Sequence, residues 1–196
     1  MLAFLTLPVV AQSGDRTSFT SDQYKIEFLH PPAWTVVENS DGIYLLTSAE
    51  LESQLDAEYP DLGEGELVVN LVALPTMMFT FMGIEAETAQ GQMEVMFDQM
   101  VEQAVAAADN VSQESGSAAN GTTVSSVAFD SQEEINGEMR NVSGMFLGMV
   151  NEEKGVFGFA TALGDRPTLD ANRAQLVDTM GSFAYTGTAE DLLGGN

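Results

Sequence analysis

Residues 67–74 read LVVNLVAL, seven apolar positions in eight with no alternation to leave one side wet. A strand of that kind is buried on both faces, so it needs strands beside it and further layers above and below. Two segments offer the covering helices. Between residues 86 and 108, Met93, Met96, Phe97, Met100, Val101, Ala104 and Val105 recur at the three-and-four spacing of one helical face, with Glu94, Asp98, Glu102 and Gln103 opposite. A second start signal at Asp165-Arg166-Pro167-Thr168 leads into Leu169, Leu176, Val177 and Met180.

The remaining elements read as strands. Tyr24, Ile26 and Phe28 alternate with Lys25 and Glu27 until Pro31 and Pro32 stop the ladder. A strand from Trp34 to Val37 turns through Asn39–Gly42 into another at 43–47. An acidic segment over 48–56 reads as one or two helical turns. Three strands at 123–130, 140–150 and 155–163 are joined around Asn136-Gly137 and around 152–155. Residues 112–122, rich in Ser, Gly, Ala and Asn, read as a loop. The order implies an α+β fold: an α/β/α sandwich with a central, mostly antiparallel sheet of six or seven strands flanked by helices. One domain over 12–186 accounts for the chain, with a loose polar tail at 187–196.

Thirty acidic residues against six basic ones give a formal net charge of −24. Phosphate recognition needs clustered Lys and Arg, so nucleic acid is not expected as a partner, nor an anionic membrane surface. No cysteine is present, which removes disulfides, thiolate metal sites and cysteine nucleophiles. The opening run LAFLTLPVV (2–10), followed by Ala11, reads as an export signal remnant with cleavage after Ala11, and predicts a periplasmic or extracellular protein. Ten residues are too few to cross a bilayer as a helix.

Two stretches resemble a known family. YKIEFLHPPAWTVVE (24–38) is similar to the start of PsbP-like domains, and the helix running into GSFAY (181–185) is similar to their ending. The PsbP-like superfamily includes a photosystem II extrinsic protein and a Ran-binding import factor. The resemblance implies an antiparallel sheet between helices and a non-enzymatic, scaffold-like or partner-binding role over roughly 22–186.

Chemistry-bearing patterns are sparse. His30 is the only histidine, so a His-rich metal site is excluded, and without a Gly-x-Ser-x-Gly elbow it reads as structural. Gly63-Glu64-Gly65-Glu66 precedes a strand and lacks a third glycine, so no nucleotide cofactor is expected. Asp56, Glu58, Asp61, Glu64 and Glu66 crowd one loop, which keeps a calcium-tuned adaptor as a further reading. A hydrolase using a pair of carboxylates is the other alternative, although nothing selects the pair. Asn110, Asn120 and Asn141 head Asn-x-Ser/Thr triplets. The segment PTMMFTFMGI (75–84) is uncharged and carries Met77, Met78, Phe79, Phe81 and Met82. A loop or strand end folded into the core beneath the long helix is its simpler account. The functional account makes those five residues an adaptable surface for a protein or apolar partner.

Overall fold

The computed structural model describes residues 15–55, 60–135, 137–188 and 191–192, with backbone alone at 104–107 and 133–135. The proposed export segment, Asp56, Glu58, Asn136 and the side chains of Ala104 and Val105 lie outside the described residues. The chain begins with β1 (Thr17–Ser21) and β2 (Ile26–His30), then the hairpin β3 (Thr35–Asn39) and β4 (Gly42–Leu46). A 3-10 helix (Ala49–Gln54) leads to β5 (Leu67–Pro75), which is followed by α1 (Met77–Phe81) and α2 (Ala89–Ala107). Four long strands come next: β6 (Asp109–Ser117), β7 (Thr123–Ile135), β8 (Glu138–Asn151) and β9 (Val156–Gly164). The helix α3 (Arg166–Gly181) and the short β10 (Ala184–Tyr185) end the fold.

Among the described residues the strands form two sheets. The larger has the order β3-β4-β5-β9-β8-β7-β6, and every pairing in it is antiparallel. LVVNLVAL therefore lies inside the sheet, between β4 and β9, as its two-sided apolarity demands. The smaller sheet, β1-β2-β10, takes the YKIEFL strand away from the central sheet. Two strands escaped the sequence reading, β1 and β6. Both are edge strands with mainly exposed polar residues, TSFTS and DNVSQESGS, so neither carries the alternation that marks a half-buried strand.

Alternate residues of the large sheet feed different cores. One face gathers Ile43, Leu45, Leu67, Val69, Leu71, Met145, Leu147, Met149, Ala160 and Ala162 beneath α3, Trp34 and the small sheet. The other face meets Phe79, Met93, Met96 and Phe97 of α1 and α2 at Val127 and Phe157, and the 3-10 helix at Leu46 and Val68. The two family-like stretches meet in space. Ala184 and Tyr185 pair with Glu27 and Ile26, and the Ser182 hydroxyl accepts a 2.9 Å hydrogen bond from the Leu29 amide. In the Pro-x-x-Trp stretch the Pro31 carbonyl accepts from the Trp34 amide at 3.0 Å, a tight turn that drops Trp34 into the core.

Glycines let aromatic rings lie against the sheet. A Cβ at Gly148 of β8 would stand 2.8 Å from ring carbons of both Phe97 and Phe157, which are buried and cannot swing aside. Gly148→Ala is expected to cost about 1–3 kcal/mol through overpacking. Thermal melting should then fall by about 2–12 °C. A melting point equal to that of the wild type would show that the rings can retreat.

Candidate functional site

Helix α1 arises from local rules that the hydrophobic pattern hides. The chain leaves β5 at Pro75, and the Thr76 amide donates to the Gly155 carbonyl in the β8–β9 turn at 2.9 Å. One helical turn later Gly83 adopts φ 72°, a left-handed conformation that favours glycine. Its amide bonds the Thr80 carbonyl at 3.0 Å, and the Ile84 amide bonds the Phe79 carbonyl at 2.9 Å. This is a Schellman ending, with its usual apolar contact between the residues that close it, here Phe79 and Ile84 in one buried cluster. The Gly83-Ile84 pair was the signal for this helix in the sequence; a five-residue element is too short to show a helical period.

The five residues singled out in this segment divide sharply. Phe79 is only 2% exposed and packs on Phe157 with ring centroids 5.1 Å apart, so its place in a binding surface is corrected: it is the anchor. Met77, Met78, Phe81 and Met82 are 41, 39, 76 and 56% exposed. The simpler account, in which the whole segment folds into the core, therefore fails for these four. Among the described residues only Leu29 and Met139 join them as exposed large hydrophobics. Acidic groups predominate around them, with Glu85 and Glu87 exposed after the helix and Glu152 and Glu153, beside a single Lys154, exposed in the turn that Thr76 touches.

A concavity of about 380 Å³ opens where β6, β7 and β8 meet the start of α3. Asp109, Asn110, Asp130, Asn141, Asp165 and Arg166 are among its lining residues. Asp130 is its hub. It accepts hydrogen bonds from Asn110 Nδ2 at 2.9 Å and the Ser143 hydroxyl at 2.7 Å, and it pairs with Arg166 at 3.3 Å. Burial alone would raise the Asp130 pKa, but the bonds from Asn110 and Ser143 and the Arg166 charge outweigh it and hold the carboxyl below its ordinary range. A general acid for glycoside chemistry must instead be held protonated. The Asp165 carboxylate is engaged as the N-cap of α3, accepting from the Thr168 amide at 2.7 Å.

Other residues raised by the sequence are occupied structurally. His30 is buried, and its Nδ1 donates to the Pro31 carbonyl at 2.9 Å. Asp61 pairs with Arg140, and Glu66 accepts from the Gly63 amide at 2.6 Å. No group of three or more His, Cys, Asp or Glu side chains able to hold a metal ion occurs among the described residues. Asn110 and Asn120 use their amide nitrogens on Asp130 and on the Gly181 carbonyl. Three of the four arginines tie α3 to the rest of the molecule: Arg16 to Asp178, Arg166 to Asp130 and Arg173 to Glu114.

Comparison with known proteins adds fold relationships. No family model matches the chain, and no curated protein matches it by sequence. Among solved structures it is similar to the Ran-binding protein Mog1p of Saccharomyces cerevisiae, at 12% identity and a TM-score of 0.46, over 88% of this chain and 96% of that one. It is likewise similar to cyanobacterial PsbP (CyanoP) from Synechocystis, at 12% identity and a TM-score of 0.43, over 92% and 98%. A third is LpqN of Mycobacterium tuberculosis, described as involved in cell envelope biogenesis, at 10% identity and a TM-score of 0.42, over 87% and 90%. All three have the PsbP/Mog1 fold, the fold that the two ends of the sequence resemble. The likeness is one of fold alone. No described helix is long and apolar enough to cross a membrane.

The Asp130 site makes stability depend on pH in a defined direction. Its carboxyl has a lower pKa folded than the ordinary 3.8, so its contribution is present above about pH 4 and is lost as pH falls through the folded value. The stability gap between the wild type and Asp130→Asn, read by urea unfolding, should be widest at pH 7 and narrow toward pH 3. A gap that stays constant with pH would refute the assignment.

Proposed function

We propose that this protein is an exported, non-catalytic binding module that engages an apolar protein surface through α1. The observation that carries the reading is the division of the segment into one buried anchor and four exposed large side chains on a single helical turn. Phe79 and the Gly83-Ile84 ending fix the turn to the core, so Met77, Met78, Phe81 and Met82 are presented from a set backbone. Flexible thioethers and an aromatic ring suit a contact that adapts to its partner. Exposed side chains of this size, clustered together, mark interaction surfaces more often than they occur by chance.

The alternatives receive less support from the geometry. The carboxylate at the centre of the 380 Å³ concavity is held ionised rather than protonated, which suits a structural bond more than acid catalysis. In the acidic loop, Asp61 and Glu66 are engaged by Arg140 and by the Gly63 amide, so a calcium ion would have to displace existing partners. Export rests on the opening apolar run and its small-residue cleavage site.

The test separates surface from anchor. A Phe81→Ser/Met82→Ser double variant should melt within about 2 °C of the wild type, as surface changes do. Proteins retained by the wild type on an affinity column loaded with the native envelope fraction should be lost from this variant. Phe79→Ser should instead lower the melting point by roughly 10 °C through loss of a buried ring. Retention that is unchanged by the double variant would remove α1 as the binding surface.

A further inference from the structure

The turn α1 sits inside a frame of carboxylates. On one side the Thr76 amide donates to the Gly155 carbonyl at 2.9 Å, and the Gly155 amide donates to the Glu152 carbonyl at 3.2 Å. The turn 152–155 is thereby closed beside the start of α1, and it carries Glu152 and Glu153, both exposed. On the other side Glu85 and Glu87 follow Gly83 in the chain, so their backbones stand within about 7 and 15 Å of the helix end. The segment that bears them is pinned to α2. Gln92 Nε2 donates to the Ile84 carbonyl at 3.3 Å, and the Gly91 amide donates to the Thr88 hydroxyl at 3.0 Å. Glu94, in the next part of α2, is exposed and accepts from Gln90 Nε2 at 3.2 Å.

The cations that could neutralise this frame are engaged elsewhere. Arg16 pairs with Asp178, Arg140 with Asp61, Arg166 with Asp130 and Arg173 with Glu114. Among the described residues none of Glu85, Glu87, Glu94, Glu152 and Glu153 has an ion-pair partner. Lys154 is the single basic side chain that this turn and the 83–94 segment contain. Inside the frame residues 76–83 carry no charge, and Met77, Met78, Phe81 and Met82 are exposed. An apolar patch bounded by one sign of charge selects its partner twice. Burial of the thioethers and the ring supplies attraction, and the edge admits one sign of charge and penalises the other.

We propose that α1 receives an amphipathic segment of a partner protein whose apolar stripe is flanked by Lys and Arg. The inference rests on the reading of α1 as a docking surface and adds the charge of what docks there. Opposite charges at the edge steer encounter and fix register. A second copy of this chain would set the same carboxylates against one another, and an anionic lipid surface would be repelled by them. Unbranched thioethers accommodate an apolar stripe of varied shape.

Fluorescence anisotropy on the full chain tests this with labelled helical peptides of about 18 residues. All carry the same Leu/Ala stripe, flanked by Lys in the first, Gln in the second and Glu in the third. The Lys peptide should bind about tenfold more tightly than the Gln peptide at about 0.15 M salt, and the Glu peptide most weakly. The variant Glu85→Gln/Glu87→Gln/Glu152→Gln/Glu153→Gln should weaken the Lys peptide about five- to tenfold and leave the Gln peptide unchanged. A control, Glu27→Gln/Glu50→Gln/Glu52→Gln/Glu64→Gln, removes as many exposed carboxylates from other elements. It should weaken the Lys peptide less than about twofold, because screening confines the effect to nearby charges. Phe81→Ser/Met82→Ser should abolish binding of the Lys and Gln peptides.

Binding that needs Phe81 and Met82 but is equal for the Gln or Glu peptide would overturn the charge assignment and leave α1 as the docking surface. Lys-peptide binding that survives Phe81→Ser/Met82→Ser, or that the control weakens as much as the frame variant, would reduce the effect to attraction by the whole acidic chain and overturn the proposal. Failure of all three peptides to bind would overturn it as well. Tighter binding to phosphatidylcholine vesicles, or dimerisation, either one lost in Phe81→Ser/Met82→Ser, would replace the proposed occupant by lipid or by a second copy. Column retention by that same variant judges α1 itself separately.

Discussion

Glycines inside the large sheet set the distance at which the other layers pack. On one face the rings of Phe97 and Phe157 close over Gly148; on the other, Met180 and Phe183 close over Gly158, where an added Cβ would sit 2.9 and 2.8 Å from them. Helices α2 and α3 can therefore approach a sheet whose neighbouring residues are as large as Met and Leu. Glycine in a strand ordinarily weakens it, because it adds backbone entropy and offers no side chain to pack. Here the facing ring supplies the missing apolar cover. The layered architecture rests on this exchange, and the position of α1 depends on it too, since Phe79 packs against the same Phe157 ring.

Charge plays a different part on each side of the molecule. With six basic residues among 36 charges, arginine is scarce, and three of the four arginines join α3 to other elements. These pairs are partly exposed, so each contributes modestly; together they fix the azimuth of α3 over the sheet. The acidic excess stays on the outside, where it favours solubility and keeps copies of the chain apart. Among the described residues, that leaves the uncharged turn α1 as an interruption in a surface where carboxylates predominate.

How far the sequence discloses the structure follows from what each element must hide. LVVNLVAL shows itself by unbroken apolarity, α2 by the helical period of its Met/Phe face, α3 by its start signal and the strands β7, β8 and β9 by apolar runs set between turn residues, and all were legible. β1 and β6 bury little and are held mainly by backbone bonds to a neighbour, so their sequences look like loops. The 75–84 segment was legible as unusual in composition but not in form. Its helix is defined by glycine stereochemistry at Gly83 and by a pair of backbone bonds, neither of which has a hydrophobic period. The split between Phe79 and its neighbours is a tertiary fact, decided by Phe157 some eighty residues away in sequence.

Trp34, the only tryptophan, lies buried in the cluster under α3 and the small sheet, on the face of the large sheet opposite α1. Its indole is thus an optical probe assigned by nature to one half of the molecule. Emission from it will follow loosening of the α3 side and remain indifferent to events at the methionine-rich turn, so a single unlabelled sample distinguishes damage to the scaffold from occupation of its far surface.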